Sequence, residues 1–363
     1  MIFRQRWTTR VFWHGEGGSC TVDLEFVETA WAAKERLRLS LMASPDGQLI
    51  ERQLVQPDGM CITIATRLRG ADDLTEAVAS DPHRDVLRVA YQRAFERHDR
   101  LLRERAEASG RALQMGLSDL DSIRATRSEP RLAHLVSSVL DRRGQAPVKY
   151  IFASYQLSDR EQGISWCHFL SEGCFALLQK FVQRRWYMND LFLEYARSNS
   201  KPCRSDQIEI RSAGQRQAFD AFAEAGFAAG MISPARTAGE SFVAYLLVAG
   251  MGDARNQDLM LRRRHTLRVL AAELVEWRAE ARARAATDEY KLSARDIEVL
   301  QMLSRGMAAA PIAQVLKLSA NQVHRRIYPE IVEKLRVRHI SEAAKAARDL
   351  GVLGGSMRAG ASR

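Results

Sequence analysis

Leu292-Ser-Ala-Arg-Asp-Ile-Glu-Val-Leu300 opens the stretch that decides the fold at one end of this 363-residue chain. Ser293 followed by Asp296 is a capping pattern, in which side-chain oxygens satisfy N–H groups left orphaned at a helix start. Ile297, Leu300 and Leu303 then recur at three-residue spacing and form one apolar face. Gly306 suits a left-handed helix end. A short second helix is expected from about Ala308 to Leu316, with Lys317-Leu318-Ser319 as the turn and Ser319 as the N-cap of a third helix. That third helix carries Asn321, Gln322, His324, Arg325 and Arg326 on its first turns, donors suited to base edges and phosphates. Ser341 is expected to cap a fourth, alanine-rich helix that stops at Gly351. In an ordinary helical bundle the same two arginines would be only a solvated face.

Ile312-Ala313, Leu316, Leu318, Val323, Ile331, Lys334-Leu335, Val337, Ser341-Glu342-Ala343, Ala347 and Gly351 continue the pattern. Their spacing resembles the LuxR-type four-helix DNA-binding domain of bacterial transcription regulators. The resemblance implies a helix-turn-helix that lays one helix in the major groove, where base edges are distinguishable. It assigns Gln322, Arg325 and Arg326 to the groove, with Asn321 and Lys317 at phosphate or bases and His324 beside them.

Three positions depart from that family. Three residues, Tyr328-Pro329-Glu330, separate Ile327 from Ile331 where the family usually has two. Pro329 is expected to kink or break the helix, at roughly 3 kcal/mol for an interior proline. Arg336 stands where the family usually has Gly, and Pro311 with Ala309 and Ala310 replaces polar residues that often touch phosphate.

Composition is compatible with a nucleic-acid partner. The formal net charge is +10, and basic proteins gain affinity for DNA by releasing its counterions. A hydrophobic fraction of 46% over this length points to two or three globular domains. No apolar run approaches the ~18 residues of a membrane span, so no membrane partner is expected. The start, Met1-Ile-Phe-Arg-Gln-Arg-Trp7, lacks a signal peptide's apolar core. Five cysteines without paired spacing then read as reduced thiols in a cytoplasm. Cys167-His168 with Cys174 is not a zinc pattern, and neither a metal nor a cofactor is expected. No catalytic constellation is visible, so the chain does not read as an enzyme.

Upstream, Ala218-Phe-Asp-Ala-Phe-Ala-Glu-Ala-Gly-Phe-Ala-Ala-Gly-Met-Ile-Ser-Pro234 reads as a helix, a Gly226-Phe227 turn and the approach to a strand. Ser241–Val248 follows as a buried strand, and Val148–Tyr155 alternates well enough for another. Helices are expected over Arg131–Arg142 and from Gly173 to about Arg184. From about Glu129 to Gly250 this resembles the autoinducer-binding domain of quorum-sensing LuxR-type regulators. The resemblance implies an α/β/α sandwich around an antiparallel sheet, with a small apolar ligand between sheet and helices. Asp190 occupies the place of the family's aspartate, which accepts the amide N–H of an acyl homoserine lactone. Leu177 stands for the family's lactone-binding Trp and Phe181 for its Tyr, and Cys203-Arg204-Ser205 follows Pro202 where an aromatic is usual. Trp186 matches an aromatic site. Asp190, Trp186 and Phe181 are therefore the candidate ligand residues, with helix capping and core packing as the plain readings of the first two. Three of four anchors differ, so another apolar ligand, or none, fits better than a homoserine lactone.

Between these regions Leu261, Leu267, Leu270, Leu274 and Trp277 share one helical face, beside Arg262-Arg263-Arg264 and Arg268. This is expected to be a linking helix that packs against a twin, since the family commonly dimerises. Residues 1–128 have no family resemblance. Cys20–Phe26, Arg36–Leu41 and Met60–Thr66 alternate as strands, and Val86 to about Leu113 reads as a charged amphipathic helix.

The fold class expected is a multidomain α+β chain. A small α+β module (1–128) that senses or docks a protein partner precedes an autoinducer-binding-like α/β/α sandwich (129–250). A linker or dimerisation helix (251–289), the helix-turn-helix (290–353) and a disordered tail (354–363) follow. The function read is a cytoplasmic, dimeric regulator that binds double-stranded DNA. The alternative is an interaction protein descended from such a regulator, which pairs with a normal partner and blocks it.

Overall fold

The computed structural model describes residues 7–14, 19–30, 33–44, 47–56, 59–68, 118–141, 149–157, 163–237, 242–249 and 264–353. The helix expected over Val86–Leu113, the arginines 262 and 263 and the tail 354–363 lie outside the described residues. Two compact units emerge. The first comprises Met1–Tyr155, Ile164–Ala235 and Val243–Leu274, and the second Gln156–Gly163, Arg236–Phe242 and Val275–Arg363.

The first unit is built on a ten-stranded sheet. Its strands are β1 (Trp7–His14), β2 (Ser19–Ala30), β3 (Ala33–Ser44), β4 (Gly47–Val55), β5 (Cys61–Leu68), β6 (Tyr150–Leu157), β7 (Ile164–Glu172), β8 (Cys203–Arg204), β9 (Met231–Arg236) and β10 (Phe242–Val248). They lie in the order β1-β2-β3-β4-β5-β7-β6-β10-β9-β8. The first five form an antiparallel meander, with Trp7 opposite Phe26, Cys20 opposite Ala43, Arg36 opposite Val55 and Gln48 opposite Leu68. β5 then joins β7 in parallel, from Cys61 opposite Trp166 to Arg67 opposite Glu172. The strands expected near the amino terminus therefore belong to the central domain's sheet and not to a sheet of their own, joined to it through a parallel pair.

Helices cover both faces. α1 (Ser118–Ala125) leads to α2 (Glu129–Asp141), which packs on β3, β4, β5 and β7. α3 (Phe175–Gln183) packs on β5 and β7. His168 meets Glu129 of α2, whereas its neighbour Phe169 meets Phe181 of α3. Successive strand residues point to opposite faces, so α2 and α3 lie on opposite sides, as a sandwich requires. β6 and β10 are buried along almost their whole length, which explains their near-continuous apolar sequence. α4 (Leu191–Ser198) and α5 (Ala213–Phe222) complete the set, and Gly226 (φ +98°) makes the turn that ends the latter's π-helical extension.

α6 (Arg264–Glu289) follows, with Leu267, Leu270, Leu274 and Trp277 buried on the expected face. The second unit continues with α7 (Ala294–Ser304), α8 (Ala309–Leu316), α9 (Ala320–Gln322), a π-helical turn (Val323–Ile327), α10 (Tyr328–Leu335) and α11 (Ile340–Asp349). Ile297, Leu300, Ile312, Val323, Ile327, Ile331, Leu335 and Ala347 form its core. Five helices end alike: the N–H groups of Lys291, Gly306, Lys317, Arg336 and Gly351 bond the carbonyl three residues back, and the next residue reaches five back. Each of the five has positive φ, the left-handed close of a Schellman motif. Glycine takes it freely, while Lys291, Lys317 and Arg336 hold it at about 1–2 kcal/mol each.

Two expectations are corrected. Ser341 does not cap α11: His339 is the N-cap without a side-chain bond, and the Glu342 carboxylate accepts the Arg338 N–H at 3.1 Å. Pro329 does not break its helix. Gln322, Val323, Ile327 and Tyr328 all keep helical angles, and the Tyr328 N–H reaches the Val323 carbonyl five residues back. The wider turn absorbs the extra residue, and Pro329 falls in the first turn of α10, where a missing N–H is tolerated.

Candidate functional site

The helix that starts at Ser319 is fastened from both ends. Gln322 Oε1 accepts the Ser319 N–H at 2.8 Å, and Ser319 Oγ accepts the Gln322 N–H at 3.2 Å, a reciprocal cap. Val323 and Ile327 are buried, while Lys317, Asn321, Gln322, His324, Arg325 and Arg326 are all exposed. Buried anchors on one side and donors on the other give the helix a fixed, hydrophilic outer face. Arg326 Nε lies 3.3 Å from Glu330, the His324 ring stands edge-on to Tyr328, and among the described residues Arg325 makes no ion pair. Beneath this helix the Lys334 ammonium meets Asp296 Oδ2 at 2.5 Å, and Asp296 also accepts the Ser293 N–H. Burial pushes the Asp296 carboxyl up, but Lys334 and Ser293 together outweigh it and hold it below the usual carboxylate range.

In the first unit Asp190 is the N-cap of α4 and accepts the Phe192 N–H at 2.9 Å. Its other oxygen accepts the hydroxyls of Tyr155 on β6, at 2.5 Å, and Tyr245 on β10, at 2.8 Å. All three groups are fully buried or nearly so. Burial raises the Asp190 carboxyl, and hydrogen bonds from Tyr155, Tyr245 and the backbone of Phe192 and Leu193 offset only part of it. Burial, then the Asp190 charge, push both tyrosines well above their ordinary range. Phe181 is buried in ring contact with Phe169, Trp186 and Phe222, at 5.7, 6.3 and 5.5 Å. Phe192 continues the cluster to Phe222 and Tyr245, at 5.2 and 5.6 Å. Trp186 is half-buried, with the Lys180 ammonium 5.9 Å from its ring. The three candidate ligand residues thus gather on the sheet face beneath α3, α4 and α5, and aromatic rings touch one another there.

Residues 290–347 match the family described as bacterial regulatory proteins, luxR family. Residues 150–277 match the autoinducer binding domain. The chain has the domain architecture of a LuxR-type regulator. Such regulators bind DNA and small autoinducers and are not enzymes. Among solved structures this LuxR-type chain is similar to Escherichia coli SdiA, at 14% identity and a TM-score of 0.43, over 64% of this chain and 95% of that one. It is likewise similar to SdiA in complex with octanoyl-rac-glycerol, at 14% identity and a TM-score of 0.42, over 66% of this chain and 98% of that one. No curated protein matches.

The caps and apolar faces of the carboxy-terminal helices were readable from spacing, and the LuxR-type helix-turn-helix from the resemblance they carry. The partners of Asp190 were not. Tyr155 and Tyr245 lie in stretches legible as strands, but only the strand order brings both hydroxyls to one carboxylate. Among the described residues, no helix is long and apolar enough to cross a membrane.

Proposed function

We propose that this chain is a cytoplasmic, dimeric transcription regulator that reads DNA with the helix beginning at Ala320. Gln322, Arg325 and Arg326 contact base edges, while Lys317, Asn321 and His324 contact phosphate or bases. The observation that carries this is the exposure of all six, five of them on a helix whose Val323 and Ile327 are buried in the bundle and Lys317 in the turn before it. Recognition by such a face combines phosphate attraction with base-edge hydrogen bonds. Two copies, paired through the 251–289 segment, would span half-sites about one DNA turn apart.

We further propose that homoserine-lactone sensing is altered or lost. Leu177 and Phe181 offer no side-chain hydrogen bond to a lactone's carbonyls, and two tyrosine hydroxyls and a backbone N–H already take three of the roughly four acceptor positions of the Asp190 carboxylate. In this reading residues 1–128 engage a protein partner. A second reading is a blocking protein that pairs with another regulator. It is favoured by the start of α8, where Ala308 offers no side-chain cap and Pro311 is exposed in place of a phosphate-binding group.

Selection of genomic fragments by the purified protein, at two salt concentrations, separates the two readings. The control is the Arg325→Ala/Arg326→Ala variant. Enrichment of a shared palindromic site is expected. In the variant it should be lost, leaving only sequence-independent binding that weakens steeply with salt. Equal retention of both proteins would sink the DNA-reading function and leave the blocking one.

A further inference from the structure

The opposite face of the sheet, under α2, carries a cluster that the DNA-binding reading does not use. His168 lies on β7, Glu51 on β4 and Glu129 at the start of α2. His168 Nε2 is 2.9 Å from Glu129 Oε1, and one ligand atom from each of the three residues lies within 4.8 Å of the other two. The register explains the convergence. Thr63 stands opposite His168 and Gln53 opposite Thr63, so Glu51, two residues from Gln53, shares their face. α2 then lays its first residue over that row.

We propose that Glu51, Glu129 and His168 bind a divalent transition-metal ion, of the class of Zn2+ or Mn2+. One imidazole nitrogen with two carboxylate oxygens suits these borderline ions better than the all-oxygen shells of Ca2+ or Mg2+. Two carboxylates with a neutral imidazole match the ion's charge. His168 is 2% exposed, and its ring stacks on Trp166 at 5.7 Å and 28°, which fixes the ligand's direction. Glu51 and Glu129 are half-buried, so the ion has an entry path from their side. Three protein ligands leave a coordination position for water or another donor. The bound ion would tie β4, β7 and α2 together, joining the amino-terminal strands to the sandwich. The cysteine spacing examined in the sequence gave no hint of this, because the ligands come from three separate elements.

The experiment is calorimetric titration of the full-length, chelator-treated protein with Mn2+ and with Zn2+, alongside Glu51→Gln, Glu129→Gln and His168→Gln. Mn2+ is included because the chain's five cysteines are competing ligands for zinc but poor ones for manganese. One ion per chain is expected, with affinity weakened at least about tenfold in each variant and a melting temperature that rises with the ion only in the parent protein. No uptake at millimolar ion would overturn the site and leave His168 and Glu129 as an ordinary ion pair. Uptake unchanged in the variants would overturn it as well. Should His168→Gln fail to fold, Glu51→Gln decides, since its half-buried position on β4 tolerates the amide.

Discussion

Asp190 and Asp296 are both buried carboxylates, and their surroundings drive them in opposite directions. Asp296 meets an ammonium and is held low, so it supports folding above its unfolded value near pH 4 and loses that support as pH falls through the folded one. Asp190 meets only neutral donors, and burial holds it high. A folded-state value above the unfolded one means that its contribution is full below about pH 4 and is lost as pH rises through the folded value. Asp190→Asn should therefore flatten the decline in stability as pH rises above about 4, while keeping an acceptor for the tyrosines. Denaturant unfolding of parent and variant across that range tests it; parallel curves would mean that Asp190 is already ionised at the lower end. The residue's position was legible from sequence, but its protonation was not, because that depends on hydroxyls from two other strands.

At the scale of the element, the helix that follows Ser319 and runs to Leu335 joins the exposed face proposed to read DNA to the bundle core. One extra residue would rotate everything beyond it by about 100° in a regular α-helix, since 3.6 residues make a turn. The π-helical turn at Val323–Ile327 takes up that residue, so Val323, Ile327, Ile331 and Leu335 all remain buried. Pro329 sits after the wide turn, where its missing N–H is least costly. Pro329→Ala should consequently change stability by less than about 1 kcal/mol, against roughly 3 for an interior helical proline. Thermal unfolding of the variant measures this, and a gain near the larger figure would show that the proline strains the helix. Both the added residue and the proline were plain in the sequence; the compensation between them was not, because a π turn has no composition of its own.

At the scale of the whole molecule, the amino-terminal strands bear on the stability of the first unit. β5 pairs along seven residues with β7, so removing residues 1–68 would leave β7 with an open edge. Unpaired backbone donors and acceptors of a long strand promote association with other chains. The truncated chain is expected to aggregate or lose its cooperative melting transition, as checked by light scattering and calorimetry. A fragment that melts at the parent's temperature would instead mark residues 1–68 as a detachable module.

Capping residues, three-residue apolar spacing and turn glycines are local signals, so the sequence by itself determined the helices of the carboxy-terminal bundle, the exposed polar face of the helix after Ser319 and the positions of several strands. The helices and turns among these are stabilised by contacts a few residues apart. The tertiary structure alone decided the rest: the union of ten strands in one sheet, the two tyrosines on Asp190, the aromatic filling around Phe181 and the meeting of Glu51, Glu129 and His168. These depend on strand order and register, which set residues as distant in sequence as Thr66 and Ser171 side by side. Pairing of that kind is fixed by the burial of whole faces, and no local pattern specifies it.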